Sequence, residues 1–209
     1  GKYATAGNVI VNVKNNLKLV NAGTISSSTY GTGNAGKVIV KSNNLEINGK
    51  GLELPTGIVS DSYQSSGNAG TVNITVQNEL ILFNRGRISS LSFEKGDAGN
   101  ITVDSENILV NGQGLNDTGI FSVALNEVSG KSGIVNINVG KNLTLNDGGQ
   151  IASDTFSEQD AGEVNIIVQK ELAILDGGAI SSKTYSKGNG GTVTINAETI
   201  EIINPDKPE

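Results

Sequence analysis

The chain has 209 residues, a net charge of −6 and 28 glycines, with four Tyr, four Phe and no Trp. It contains no Cys, His or Met, which excludes a disulfide framework, thiolate metal sites and every histidine-dependent catalytic triad. The acidic charge and the scarcity of arginine argue against a nucleic-acid-binding protein, and no apolar run approaches the ~18 residues of a membrane helix.

An Ala-Gly dipeptide or a close variant recurs along the chain and divides it into copies. Its occurrences are 29, 34, 29, 34, 29 and 29 residues apart, at Ala6-Gly7, Ala35-Gly36, Ala69-Gly70, Ala98-Gly99, Ser132-Gly133, Ala161-Gly162 and Gly190-Gly191. A period of this length is typical of a repeat architecture in which each copy stacks on the next. Six copies are complete, and the seventh stops after Ile202.

Each copy predicts three short strands, because apolar and polar residues alternate. In the first copy, the first strand carries Val9, Val11 and Val13, and the second carries Leu17 and Leu19. The third strand begins in the complete copies at Ile25, Ile58, Ile88, Ile120, Ile151 and Ile180. The spacing does not suit a helix, and the abundant Gly, Asn, Thr and Val are weak helix formers.

Three short strands per copy would also suit a β-sandwich, but the strict repeat favours coils wound around one axis. Each strand then stacks on its equivalent one copy later, so equivalent positions keep the same residue type. The sequence therefore predicts an all-β fold, a right-handed parallel β-helix of about seven coils of 29–34 residues. We expect one domain over 1–209, a fragment of a longer repeat protein, with a proline-containing tail over 204–209.

Two columns of turn residues support the coils. The residue before the anchor dipeptide, with Lys131 as the exception, is Asn34, Asn68, Asp97, Asp160 or Asn189. The second column precedes the third strand, two residues ahead of a glycine, and comprises Asn21, Asn84, Asp147 and Asp176, with Gly23, Gly86, Gly149 and Gly178. We expect left-handed corners and hydrogen-bonded ladders. Calcium binding is the alternative, but neutral Asn alternates with Asp and no DxDxDG loop is present.

An aromatic column lies five residues after the third-strand isoleucine, at Tyr30, Tyr63, Phe93, Phe156 and Tyr185, with Leu125 in the fourth copy. A sugar-binding face would look like this, but replacement by Phe and Leu shows that the hydroxyl is dispensable and favours packing. Copies two and four also carry inserts at 48–57 and 111–119. Solenoid inserts map to loops, often on the binding side, although the similarity of these two suggests duplication of a two-coil unit.

The third strand is rich in serine, at Ser26, Ser27, Ser28, Ser89, Ser90, Ser181 and Ser182. A catalytic serine needs a base, and without His only a pair such as Ser182 with Lys183 remains. Because serine recurs in one column while catalysis needs one site, the pattern predicts a ladder of small residues.

An enzyme on this fold would need clustered carboxylates, or a calcium ion beside Lys or Arg. The one arginine-rich stretch is Arg85-Gly-Arg87, the nearest carboxylates in sequence are Glu79 and Glu94, and we find no repeat-aligned carboxylate pair. We therefore predict no enzyme activity, no catalytic or metal-binding residue and no cofactor.

The repeat Gly-Asn-Ala-Gly-x-Val-x-Ile-x-Val, followed by Leu-x-Leu and Gly-x-Ile-Ser-Ser-x-Thr-Tyr, resembles filamentous haemagglutinin-like exoproteins, notably their cyanobacterial branch. The resemblance covers residues 6 to 203 and includes the segment GNAGTVNITVQNELILFNRGRISS. It implies a β-helix exported by two-partner secretion through an outer-membrane transporter. The family's N-terminal secretion motifs are not identifiable here, so the transporter as a partner is an analogy.

The resulting expectation is a structural, adhesive segment of a secreted or cell-surface rod, extracellular or associated with the outer membrane. Host or matrix glycans, surface proteins and end-to-end self-association are the partners to consider. The rivals are a polysaccharide lyase or hydrolase on the same fold, a polysaccharide-binding module and a segment of a phage fibre.

Overall fold

The structure is a computed structural model that describes residues 5–50, 56–63, 66–128 and 130–204. Within these residues every strand pairs in parallel with its equivalent in the next coil, and there is no helix. The predicted all-β solenoid of stacked coils is therefore confirmed, with six complete turns and a seventh that is begun. No described segment forms an apolar helix long enough to span a membrane.

Two sheets form the walls of the coil. The first has the strand order β1-β4-β6-β8-β10-β12-β14, with β2 paired to β4, and comprises β1 (Val9–Asn12), β2 (Asn16–Val20), β4 (Val38–Asn48), β6 (Val72–Phe83), β8 (Ile101–Asn111), β10 (Val135–Asn146), β12 (Val164–Leu175) and β14 (Val193–Ile203). The second, the short-strand sheet, comprises β3 (Thr24–Ser26), β5 (Thr56–Val59), β7 (Gly86–Ser92), β9 (Gly119–Ala124), β11 (Gln150–Ala152) and β13 (Ala179–Ser181).

The predicted first and second strands run together in every coil after the first. Their junction is a register irregularity, where Ser42 and Asn44 of β4 face Val76 and Glu79 of β6. At this bend the 29-residue coils have one residue more than the 34-residue coils. A bulge lets one continuous strand turn a corner without ending its ladder, which alternation in the sequence does not reveal.

The register places equivalent side chains directly above one another. Ile58 pairs with Ile25 on one side and Ile88 on the other, and the series continues through Ile120 and Ile151. The last four of these isoleucines along the chain, with the inward Val and Leu of the long strands, form one continuous buried core, and Ile25 packs against it. Each coil therefore contributes a complete layer of the core, and stability comes from contacts between neighbouring layers.

The anchor glycine and the recurring serine form one structural unit. A serine lies two residues after the third-strand isoleucine in each of the six complete coils. Its hydroxyl donates to the carbonyl of the anchor glycine in the same coil. Ser60 donates to Gly36 and Ser90 to Gly70, each at 2.6 Å. A Cβ on Gly70 would lie 1.8 Å from the Gly36 carbonyl oxygen. The serine ladder thus has a structural role, and the close approach of the carbonyl and the serine hydroxyl explains why the anchor residue is glycine.

The two turn columns work in different ways. Asn21, Asn84, Asp147 and Asp176 have φ between 45° and 52°, which confirms the left-handed corner before the third strand. The glycines two residues later are not left-handed; Gly86 and Gly149 are needed because a Cβ would lie 2.3 Å from a carbonyl oxygen of the preceding coil.

The column before the anchor dipeptide is not left-handed either, so that part of the prediction is wrong. Its side chains instead form the expected ladder: the Asn34 Oδ1 accepts the Asn68 N–H at 2.9 Å, and the Asp97 Oδ1 accepts the Lys131 N–H at 2.8 Å. Extended backbone with a side-chain acceptor satisfies an N–H that the turn leaves unpaired.

Candidate functional site

The outward face of the short-strand sheet carries side chains that differ from coil to coil. Counted from the isoleucine, the residues at −1, +1, +3 and +5 alternate with inward residues and form four columns on this face. In the third to fifth coils these columns read Arg87, Ser89, Leu91 and Phe93, then Gly119, Phe121, Val123 and Leu125, then Gln150, Ala152, Asp154 and Phe156. The face is therefore apolar in its centre and polar along one edge.

The aromatic column is a true stack, as its packing interpretation predicts. The ring centroids of Tyr30 and Tyr63 are 4.7 Å apart, and those of Tyr63 and Phe93 are 4.8 Å apart. A second stack joins Phe156 to Tyr185 at 4.3 Å. Because the rings lie face to face, the stacks present mainly ring edges to solvent. Leu125 separates the two stacks and leaves one face of Phe93 and one face of Phe156 uncovered by another ring.

The insert of the fourth coil forms a wall beside this face. The Arg85 N–H donates to Thr118 Oγ1 at 2.7 Å, and the Arg85 Nε lies 3.0 Å from Asp117 Oδ2. The second coil repeats the first of these contacts, with the Ala22 N–H donating to Thr56 Oγ1 at 2.8 Å. The Thr-Gly end that both inserts share thus ties them to the preceding corner. Residues 51–55 of the 48–57 insert lie outside the described residues.

The insert, the aromatic column and the arginine stretch enclose one cleft of about 360 Å³. Its floor is apolar and its rim polar, with lining residues Arg87, Leu91, Phe93, Asn116, Asp117, Phe121, Val123, Leu125, Gln150, Ala152, Asp154, Phe156 and Tyr185. Two features that the sequence analysis treats separately, the aromatic column and the 111–119 insert, therefore share one site. Such a mixture of apolar walls and few polar groups is typical of ligand pockets.

Another depression, of about 450 Å³, lies on the long-strand sheet near the bend. Three of its polar side chains are already paired: Asn138 Nδ2 donates to Asp104 Oδ1 at 2.8 Å, and Glu106 Oε1 lies 2.9 Å from Lys141 Nζ. It contains no aromatic side chain. We therefore regard the cleft on the short-strand sheet as the better candidate site.

Asp61 is a fully buried carboxylate that the sequence analysis does not single out. It accepts the Leu91 N–H at 2.9 Å, the Ser89 hydroxyl at 3.1 Å and the Tyr63 hydroxyl at 3.2 Å. Burial raises the pKa of the Asp61 carboxyl, although these hydrogen bonds and the charge of Arg87 act to lower it. Burial and the neighbouring Asp61 charge likewise raise the pKa of Tyr63. Asp61 is therefore bonded to the aromatic stack through Tyr63 and lies within the electrostatic influence of Arg87 at the cleft.

Asp154 occupies the same column as Asp61, three coils away. Its carboxylate accepts the Ser181 hydroxyl at 2.9 Å and the Lys183 N–H at 2.8 Å. Repeat-aligned carboxylates therefore do exist, contrary to the sequence analysis. Asp147 and Asp176 share the corner column of adjacent coils, whereas three coils separate Asp61 from Asp154 by about 14 Å. The signal was present in the sequence: Asp61 and Asp154 both lie three positions after the third-strand isoleucine.

The other candidate residues are not assembled into a reactive group. Ser182 donates its hydroxyl to the Gly162 carbonyl at 2.5 Å, and no hydrogen bond joins it to Lys183 within the part of the chain that the structure describes. Neither Glu79 nor Glu94 lines the cleft. Arg85 pairs with Asp117 instead, and the charge of Arg87 acts on Asp61. Among the described residues, no cluster of three or more potential ligands could hold a metal ion.

We expect the Asp61→Asn substitution to remove a pH-dependent part of the stability. A raised pKa means that the folded state binds this proton more tightly than the unfolded chain, whose usual value is 3.8. The contribution is complete below that value and is lost as the pH rises through the raised folded pKa. Wild type should thus gain stability relative to Asp61→Asn as the pH falls from neutral towards 4, in paired urea titrations. A difference that does not change with pH would contradict this account.

Completing the aromatic column should stabilise the protein. In Leu125→Phe, a ring in the fourth coil would stack on Phe93 and Phe156 at once, which we expect to add about 0.5–1.5 kcal/mol beyond its burial. Thermal unfolding measures the gain. Val128→Phe, at an exposed turn position outside the column, should change the stability by no more than about 0.5 kcal/mol. Equal effects of both substitutions would show that the column does not select aromatic rings.

No protein-family model, no curated protein and no solved structure matches the chain.

Proposed function

We propose that the chain is a structural and adhesive segment of a secreted or cell-surface β-helix exoprotein. The observation that carries the proposal is the uninterrupted pairing of seven layers in the long-strand sheet. Parallel ladders with a repeated apolar core resist bending and local unfolding, because each layer is held by its neighbours on both sides. This arrangement suits a stiff element that holds a surface away from a cell without disulfides.

An enzyme of the polysaccharide lyase or hydrolase type has less support. Glycoside hydrolysis typically uses two carboxyl groups about 5–10 Å apart. Asp147 and Asp176 lie in adjacent coils but do not line the cleft, and Asp61 and Asp154 are separated by about 14 Å. The Asp61 and Asp154 carboxylates are also engaged by backbone and hydroxyl donors. This arrangement favours a structural role for each of them.

The test is surface display and adhesion of the parent protein. Antibodies raised against the purified chain should label intact cells that carry the parent gene, and deletion of the gene should reduce attachment to surfaces. A matched variant deletes residues 72–134, which joins Thr71 to Val135 and preserves the register of the coils. It should still be displayed. Antibody labelling that appears only after the cells are lysed would contradict the proposal.

A further inference from the structure

We propose that the cleft on the short-strand sheet binds a neutral pyranose oligosaccharide, with one sugar ring held between Phe93 and Phe156. The inference goes beyond the rod function, because it assigns a ligand class to a site that a purely structural segment does not need. It rests on the interruption of the aromatic stack, on the shape of the cleft and on the balance of charge along its rim.

The interruption creates a slot between two ring faces. Phe93 and Phe156 belong to coils two steps apart, so their rings are separated by about 9.5 Å, twice the spacing of adjacent strands. Leu125 lies between them but is shorter than a phenylalanine and leaves the outer parts of both ring faces free; it is 37% exposed. A ring centred in the slot would lie about 4.8 Å from each aromatic ring, within the range of favourable stacking contacts.

The cleft extends from this slot across the strands. Arg87 and Phe93 are six residues apart in an extended segment, which corresponds to about 20 Å. Between them the floor is formed by apolar side chains, Leu91, Phe121, Val123 and Ala152. The ring of Phe121 lies over Gly119, where a Cβ would be 3.0 Å from its Cζ atom. The floor therefore offers a flat apolar track long enough for several sugar units.

Planar polar groups line the far end of the track. Asn116, Asp117 and Gln150 offer amide and carboxylate atoms, which suit the adjacent donors and acceptors of sugar hydroxyls. The Arg87 Nε is buried and has no hydrogen-bond partner among the described residues, so a ligand oxygen could satisfy it. Arg85 is paired with Asp117 at 3.0 Å. The charged residues of the lining are of both signs, Arg87 with Asp117 and Asp154, which favours a neutral ligand over a charged one.

Other ligand classes fit the cleft less well. An extended peptide would normally pair its backbone with a strand edge, but the strands that form this floor, β7, β9 and β11, are each paired on both sides. Nucleic acid would meet Asp117 and Asp154 without a basic stripe to hold its phosphates. A pyranose needs neither, because its C–H faces contact aromatic rings and its hydroxyls bind polar side chains.

The experiment is calorimetric titration of the purified chain with cello-, xylo-, manno- and laminaritetraose, and with tetragalacturonate as the charged probe. We expect at least one neutral tetraose to bind, more tightly than tetragalacturonate. Leu125→Phe fills the slot and should weaken binding by about tenfold or more while the melting temperature rises, so affinity and stability move in opposite directions. Phe156→Ala should also weaken binding. Tyr30→Ala, at the far end of the stack and outside the cleft, should bind as the wild type does.

The proposal is overturned if none of the neutral tetraoses binds, if tetragalacturonate binds most tightly, or if Leu125→Phe binds like the wild type. These results are independent of the rod function. Cell-surface label and adhesion of the parent protein report on the rod, whereas the titrations report on the cleft, so either proposal can fail alone.

Discussion

Replacing Gly70 by alanine is expected to destabilise the protein by about 3 kcal/mol or more, a large effect for adding one methyl group. The added Cβ would lie 1.8 Å from the Gly36 carbonyl oxygen and 2.3 Å from the Ser60 hydroxyl oxygen. The Gly36 carbonyl accepts the Ser60 hydroxyl at 2.6 Å, so it cannot move away without breaking that hydrogen bond. Urea unfolding followed by far-UV circular dichroism measures the loss.

The first coil supplies a matched control. Gly7 is the equivalent anchor glycine, but a Cβ there meets nothing within 4 Å. Gly7→Ala should therefore change the free energy of unfolding by no more than about 0.5 kcal/mol. Similar losses in both variants would mean that the anchor glycine is selected for backbone conformation rather than for close approach between coils.

Truncating a core isoleucine is the second substitution with a large expected effect. Ile120 is fully buried in the column between Ile88 and Ile151, so Ile120→Ala removes contacts to both neighbouring layers. We expect a loss of about 2–5 kcal/mol in the free energy of unfolding, since the rigid ladders above and below limit collapse around the cavity. The same urea titration gives the value.

Ile10 is the corresponding control. It lies on β1, is 64% exposed and occupies an outward position next to Val9 and Val11. Ile10→Ala should cost about 0.5 kcal/mol or less. If Ile120→Ala were equally mild, the third-strand isoleucines would not form the continuous core described above.

The sequence predicts the coils well because stacking imposes the same constraint on every copy. Ile58 must resemble Ile25 and Ile88 since all three fill one column, and this identity is visible in the sequence as a period. The serine and glycine columns follow the same rule. Their hydrogen bond was not foreseen, because it joins residues about twenty positions apart across the interior of a coil.

The candidate site is less predictable because it arises where the columns break. In the sequence, Leu125 is one exception in an aromatic column. Only the structure shows that the two stacks end on either side of it and leave a slot between Phe93 and Phe156. Asp61 and Arg87 belong to different coils, and their proximity depends on which side chains point outward. The partner of Arg85 was likewise missed, since Asp117 reaches it only through the fold of the insert.

The most direct test of the stacked-coil architecture is a set of distances between spin labels. The chain has no cysteine, so pairs of cysteines can be introduced and labelled at outward positions of one column. One label stays at Ile10, and the second is placed in turn three, four, five and six coils away, at Thr102, Asn136, Asn165 and Thr194. Double electron–electron resonance should give distances that rise linearly by about 4.8 Å per coil, to about 29 Å for the last pair. Distances that do not increase with coil number would contradict the architecture on which the rod and the cleft both depend.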